Sequence, residues 1–464
     1  MKIRYRFGLS LSVTAALLAT AAVIFTRGLV IEIRASADTP PLMPDAAEAN
    51  KRKHNPPPVA GDVLIAGGMG SGRTTMKTVS KVEFYDPTKG QFFQTGSLPV
   101  TAAVQGASLA SSSPGAKVVA FGGISGVGHA NVNVLSFTGT VVSSAESYDP
   151  SAGSWTAAPN SMVTPRAGAS ATLLPSGMIL IAGGFDANEK ALKTAELFNP
   201  ADGTFVATDN NMTDPRAFHV ANLLLDGKVL LVSGLTDNNG AESTTADIFD
   251  PTAGTHGVFT ASGSFPTPSA ASASVLFPSG PLMGEVLITG GDGGCASGNL
   301  CSSAISQLYN PVMDQFTFTA SMNEVRINHT ATLLQNGKVL ITGGINVFAT
   351  MGAGKVNGAG AATTFSSSAE LFDPTAITFA CVGGPGSSGG CKPTMTKTRA
   401  GHSATLLSNG TVLIAGGFVA YGPPIFQMGN ASKTAEIFDP TSGTFTKTKS
   451  MHTARGGHTA TLLQ

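Results

Sequence analysis

The sequence predicts an all-β protein, a seven-bladed β-propeller of four-stranded antiparallel blades. Apolar runs that end in a glycine doublet or its remnant occur seven times. Motifs of the type Glu-Ile-Phe-Asp-Pro also occur seven times, and the two series alternate strictly. An aromatic residue then closes each unit: Phe92, Trp155, Phe205, Phe259, Phe316, Phe379 and Phe445. Each unit spans roughly fifty to sixty residues, which is close to the period of propeller repeats.

Residues 399–417, RAGHSATLLSNGTVLIAGG, predict the first two strands of a unit. HSATLL alternates polar and apolar residues, which is typical of a strand with one buried face. The Asn-Gly pair predicts a tight hairpin turn. TVLIAGG is apolar on both faces, so we expect it between neighbouring layers, and its glycines indicate positive φ or a close approach of the next blade.

The last two strands follow in AEIFDP and GTFT. The Asp-Pro pair begins a turn, because proline cannot donate to a sheet and aspartate caps turns locally. A unit of this length leaves no room for a helix. Four short antiparallel strands therefore form one blade.

The ends of the chain complement each other. The first unit begins at its second strand, whereas the chain stops just after a first strand, GGHTATLLQ. We expect residues 458–463 to pair with residues 62–66, which closes the ring and removes both open edges.

The glycine doublets, the Tyr or Phe before Asp-Pro, the Trp or Phe after it and the R-x-x-H pattern resemble the kelch-repeat family. The resemblance includes the bacterial branch that is similar to the propeller of galactose oxidase, and it covers residues 61–464. It implies the propeller fold. It also implies a protein-binding or carbohydrate-binding platform more often than an enzyme.

The N-terminal residues do not fit the repeat. Residues 1–8 are basic, residues 9–25 are apolar, and Ala-Ser-Ala at 35–37 fits a cleavage site, so residues 1–37 read as a signal peptide or an uncleaved signal anchor. Residues 38–60 are rich in proline and charge and predict a disordered linker. The expected location is secreted, periplasmic or at the cell surface, with membrane attachment only through the anchor.

Four cysteines support the same compartment. Cys295 and Cys301 flank one short polar loop, and Cys381 and Cys391 flank another. Two local disulfides are the expectation in an oxidising environment, and a zinc site made of both pairs is the alternative.

The amino-acid composition argues against nucleic acid as a partner. Charged residues make up 12% of the chain and the formal net charge is zero. No basic surface is available to attract nucleic acid. We expect a monomer without a metal or other cofactor.

Variation in loop length singles out one face of the propeller. In such a blade the links from the second to the third strand, and from the fourth strand to the next blade, emerge on the same side. Residues 124–143, 345–367 and 418–432 are long links there, and both cysteine pairs lie there too. We call this the long-loop face. Long loops on a rigid scaffold commonly carry function, so an extracellular protein or a glycan is expected to bind here.

Recurring polar residues are the candidate binding residues. An arginine precedes the first strand in five units. In four of them a histidine stands three positions after the arginine, and one tyrosine lies in a long loop. They are Arg166, Arg216, Arg326, Arg399, Arg455, His219, His329, His402, His458 and Tyr421. Arginines around a funnel could bind carboxylates or sugar acids. The alternative is structural: these side chains tie blades together through the recurring acidic residues Glu83, Glu146, Glu196, Asp247, Glu370 and Glu436.

Catalysis is the less favoured hypothesis, in the form of a carbohydrate-active oxidase or sugar epimerase-type enzyme. A galactose-oxidase-like copper centre needs two tyrosines, two histidines and a cysteine. Of the tyrosines, Tyr421 alone lies in a candidate loop, and all cysteines are expected to be paired. His129, His256 and His452 form no constellation with a nucleophile or a paired acid, so no catalytic residue is predicted.

Overall fold

The computed structural model describes residues 56–464, except residues 72–75, 101, 103–105, 110–112, 114, 129–138, 238–239, 268, 294–301, 349–361, 388–389 and 420–429. In these residues the regular structure is all β-strand, with seven four-stranded antiparallel sheets and three smaller sheets. The predicted fold class is confirmed. The predicted signal segment, and residues 38–55 of the predicted linker, lie outside the described residues.

Each blade consists of an inner, a second, a third and an outer strand. In that order they are Thr459–Leu462, Val63–Ala66, Lys81–Asp86 and Gln91–Ser97 (blade 1); Gly106–Leu109, Val118–Phe121, Ala145–Asp149 and Ser154–Ala157 (blade 2); Ser170–Leu173, Ile179–Ala182, Ala195–Asn199 and Thr204–Ala207 (blade 3); Val220–Leu223, Val229–Val232, Ala246–Asp250 and Val258–Ala261 (blade 4); Ala273–Leu276, Val286–Thr289, Ser306–Asn310 and Gln315–Phe318 (blade 5); Thr330–Leu333, Val339–Thr342, Ala369–Asp373 and Thr378–Cys381 (blade 6); Ser403–Leu406, Val412–Ala415, Ala435–Asp439 and Thr444–Lys447 (blade 7).

The second strands form the core of each blade. Every residue of Val229–Val232 is buried, and the same holds for the second strand of the other blades. Neighbouring blades pack face to face, so that Leu180 of blade 3 lies in one apolar cluster with Val229 and Phe249 of blade 4. The second strand, which the sequence predicted to be buried on both faces, therefore packs against the sheets of neighbouring blades.

The inner strands surround the central axis. Each contacts the inner strands of the two neighbouring blades, and the contacts run round all seven blades. Most of their residues are only partly buried, since one edge of the strand faces the channel. This position explains the alternating polar and apolar pattern of HSATLL.

The glycine doublets serve both purposes considered from the sequence. Gly183 and Gly184 have φ of 64° and 91°. A Cβ on Gly183 would also lie 2.2 Å from the carbonyl oxygen of Arg216 in the next blade. Only glycine combines the left-handed conformation with so close an approach.

The ring closes through blade 1, as predicted. Val63 pairs with Leu462, and Ala66 pairs with Thr459, in antiparallel register. The backbone N–H of Gly61 donates to the carbonyl of Leu463 at 2.9 Å. The last strand of the chain thus supplies the inner strand of the first blade.

The long-loop face carries additional short strands. Ile345–Phe348 pairs with Ala362–Phe365, Ile124–Ser125 pairs with Thr140–Val141, and Met76–Thr78 lies between two further short strands. None of the structure described here forms a helix with the length and apolar character needed to cross a bilayer.

Removing residues 459–464 from the full chain is expected to lower the unfolding temperature by about 6 °C. The deletion exposes the edge of Val63–Ala66 and removes Leu463 from the apolar cluster that contains Leu64, at a cost of roughly 5 kcal/mol. Differential scanning calorimetry measures this, with Gln464→Ala as the control. Equal unfolding temperatures for the deletion and the control would contradict closure by this strand.

Candidate functional site

The five predicted arginines are fully buried. Each pairs with the acidic residue in the third strand of its own blade, with Nη2–carboxylate distances of 2.6 to 3.1 Å. The pairs are Arg166 with Glu196, Arg216 with Asp247, Arg326 with Glu370, Arg399 with Glu436 and Arg455 with Glu83. Burial lowers the pKa of Arg399, and the Glu436 carboxylate opposes that shift.

The pair also fixes the link that enters the blade. Glu196 accepts hydrogen bonds from the backbone N–H groups of Val163 and Thr164 at 2.9 and 3.2 Å. Arg166 Nη1 donates to the carbonyls of Gly183 and Thr194 at 3.0 and 2.8 Å. We call this arrangement of arginine, carboxylate and link backbone the clasp.

The clasp reaches the preceding blade through the arginine backbone. The carbonyl of Arg216 accepts the N–H of Gly184, and that of Arg455 accepts the N–H of Gly417, both at 2.9 Å. Arg455 lies in the last link of the chain, and Glu83 lies in the third strand of blade 1. The same interaction therefore fastens the closure of the ring.

The four predicted histidines bridge adjacent blades. His219 Nε2 lies 2.9 Å from Ser170 Oγ, and His458 Nε2 lies 3.0 Å from Ser403 Oγ, in each case on the preceding blade. His329 and His402 make equivalent contacts to Thr289 and Thr342. Burial, aided by the adjacent arginine, lowers the pKa of His219, His329 and His458 to about 3, so these rings are neutral at physiological pH. Tyr421 lies outside the described residues.

In the described residues, a series of backbone hydrogen bonds runs round the channel at the long-loop face through six of the seven blades. It joins residues two positions after each clasp arginine, or after its counterpart in blade 5, and we call it the mouth ring. The N–H of Phe218 donates to Gly168, Ala271 to Phe218, Asn328 to Ala271, Gly401 to Asn328 and Gly457 to Gly401, at 2.9 to 3.1 Å. All six residues have positive φ, three of them without being glycine. This ring was not predicted from the sequence, in which Gly168, Gly401 and Gly457 are its available signal.

Aromatic and apolar side chains lie beside the backbone of the mouth ring. The rings of Phe185 and Phe218 are partly exposed, with centroids 6.1 Å apart. Phe418 is buried in one apolar cluster with Met69 and Ile124, against which Phe218 packs. The long-loop face therefore exposes parts of two neighbouring aromatic rings beside the mouth ring.

Two acidic side chains lie on the same face between blades 4 and 5. The carboxylate oxygens of Glu242 are buried, and burial together with the nearby Asp292 raises the pKa of Glu242 to about 8. Position 292 follows the glycine doublet, where the other blades carry apolar residues such as Ile345. This pair breaks the symmetry of the ring.

The clasp itself is altered in two blades. In blade 5, Ser269 stands at the arginine position and Gln307 at the carboxylate position, so both partners are neutral. In blade 2, Ala102 stands at the arginine position, but Glu146 keeps its carboxylate. Glu146 is 3% exposed, and burial raises its pKa to about 8.

One of the predicted disulfides is confirmed. Cys381 and Cys391 are bonded, with Cα atoms 5.2 Å apart, and the Cys391 N–H donates to Glu324 at 2.9 Å. Cys295 and Cys301 lie outside the described residues, so the second bond remains a prediction.

The described residues do not fit a galactose-oxidase-like copper centre. Tyr85, Tyr148 and Tyr309 are buried and pack against the aromatic residue of the outer strand. Within the part of the chain that the structure describes, no group of three or more His, Cys, Asp or Glu side chains is placed to hold a metal.

Comparison with known proteins shows the fold. No protein-family profile and no curated protein matches the sequence. The solved structure of YjhT is similar over 75% of this chain and 98% of its own, at 14% identity and a TM-score of 0.50. A fungal alcohol oxidase of the AA5 family, in complex with copper, is similar over 85% of this chain and 87% of its own, at 16% identity and a TM-score of 0.53.

Glu146→Gln is expected to flatten the pH dependence of stability. The folded-state pKa of about 8 lies above the ordinary 4.5. The protonated carboxyl therefore stabilises the folded state fully below about pH 4.5, and this contribution is lost as pH rises through 8. Urea unfolding between pH 5 and 9 should show a loss of roughly 1 to 4 kcal/mol in the wild type that the variant lacks. Parallel pH profiles would contradict the assignment.

Proposed function

We propose that the chain is exported and that its kelch-type propeller is a non-catalytic platform that binds an extracellular ligand at the long-loop face. The observation that carries this proposal is the pair of partly exposed rings, Phe185 and Phe218, beside the mouth ring, where Phe218 packs against the cluster that contains Phe418. Aromatic faces with a few polar groups around them are common features of ligand sites. A glycan is the favoured ligand, and a cell-surface protein is the alternative.

The disposition of the recurring polar residues supports a binding role over catalysis. The guanidinium groups of the arginines donate hydrogen bonds to carboxylates and carbonyls within the clasps. The histidines are neutral and hydrogen-bonded between blades. These symmetric residues are committed to the scaffold, which leaves recognition to the loops and aromatic rings that differ from blade to blade.

Export is supported by the Cys381–Cys391 disulfide, because such bonds persist in oxidising compartments. The apolar residues 9–25 and the small residues at 35–37 are the proposed signal.

A carbohydrate-active enzyme on the same fold is the second candidate, and Glu242 favours it. A buried carboxyl with a pKa of about 8 beside a second carboxyl has the properties of a general acid. Turnover of simple sugars that is lost in Glu242→Gln would support this candidate over a binding platform.

A glycan-binding screen with the full chain tests the proposal. Phe185→Ala is expected to weaken ligand binding by about tenfold, because a stacking surface is lost. Replacing residues 349–361 by a short Gly-Ser turn between the paired Phe348 and Ala362 is expected to abolish binding. His402→Ala is the control: it should lower the unfolding temperature while affinity stays within about twofold. Binding that is unchanged in the first two variants would contradict the proposed surface.

A further inference from the structure

Blade 2 retains the backbone of the clasp without its arginine. The carbonyl of Ala102 accepts the N–H of Gly68 at 3.1 Å, as the carbonyl of Arg216 accepts the N–H of Gly184 at 2.9 Å. The chain at Ala102 therefore follows the path that it takes at the arginine positions. The Ala102 side chain ends at Cβ, so the chain supplies no guanidinium from this position.

The acceptors of the clasp are all present in blade 2. Glu146 is the second residue of its third strand and pairs with Ala120, as Glu196 pairs with Ile181. The Gly122 N–H donates to the carbonyl of Ser144 at 2.9 Å.

The same bond joins Gly183 to the carbonyl of Thr194 at 3.1 Å in blade 3. Gly183 and Thr194 are the residues whose carbonyls accept Arg166 Nη1. Gly122 and Ser144 thus occupy the positions of these two acceptors.

Glu146 has fewer hydrogen-bond donors than its counterparts. Its carboxylate accepts the N–H of Val100 at 2.7 Å, and no cationic side chain in the described residues forms an ion pair with it. Glu196, by comparison, accepts from two backbone N–H groups and from Arg166. The raised pKa of Glu146 agrees with this deficit.

Blade 5 shows the other way to lose a clasp. There both charges are gone, and Gln307 Nε2 donates to Thr267 Oγ1 at 2.6 Å instead. Blade 2 has lost the cation and kept the anion. An isolated buried carboxylate is costly unless a cation from elsewhere reaches it.

We propose that blade 2 contains a binding site for the guanidinium group of a second molecule, held by the Glu146 carboxylate and the carbonyls of Gly122 and Ser144. Five other blades of this protein hold a guanidinium in the same set of acceptors. A planar guanidinium matches that set with parallel N–H donors, whereas a compact ammonium does not. The source is a small guanidinium compound or an arginine side chain of a partner chain.

The test measures the unfolding temperature of the full chain at about pH 8, where Glu146 titrates, with millimolar methylguanidinium chloride. Saturable stabilisation by about 1 °C or more is expected for the wild type relative to sodium chloride at equal ionic strength. Glu146→Gln removes the anion with little change of shape and should not respond. Ala102→Arg supplies the missing group in cis and should not respond either.

Methylguanidinium that shifts the wild type and Glu146→Gln equally would overturn the proposal, and this comparison holds even if Ala102→Arg fails to fold. A capped Gly-Arg-Gly peptide distinguishes the two sources. Stabilisation by both the peptide and the free ion indicates a site open to a partner's arginine. Stabilisation by the free ion alone indicates a small-molecule site.

Discussion

The buried arginine–carboxylate pair is the interaction on which the ring depends. A propeller must hold each incoming link at a fixed place, since the link sets where the next inner strand begins. In five blades a carboxylate in the third strand accepts both the link backbone and the arginine, as Glu196 does with Val163, Thr164 and Arg166. Because both charges are buried, neither tolerates loss of the other. The pair of Arg455 and Glu83 extends this constraint across the join between the two ends of the chain.

The residues that recur from blade to blade form the scaffold of this protein. Residues that recur in most blades, such as Arg399 and His402, are buried or bridge neighbouring blades. The residues that depart from the pattern are Glu242, Asp292 and Ala102. The pKa of Glu242, and that of Glu146 in the blade of Ala102, is raised to about 8. Departures from a repeat carry the information for a unique site, because an interaction repeated round a ring cannot distinguish one position from another.

The repeat made the blades and the closure predictable, because strand alternation, Asp-Pro turns and glycine doublets are each written locally. The candidate site was harder to predict from the sequence. The sequence identified the arginines and their acidic partners as a recurring set. It did not predict that each pair would lie within one blade. The mouth ring was missed because Phe218, Ala271 and Asn328 adopt positive φ without a glycine to signal it. Contacts between blades decide those conformations, and local sequence does not encode them.

A double-mutant cycle on Arg399 and Glu436 tests the central claim most directly, with the unfolding free energy of the full chain as the readout. Arg399→Met and Glu436→Gln each leave a buried group without its partner, so each should cost roughly 3 to 5 kcal/mol. The double variant should cost less than their sum by more than about 1 kcal/mol, because the two residues act as a unit. Strictly additive costs, or single variants as stable as the wild type, would contradict the clasp as the interaction that holds the ring together.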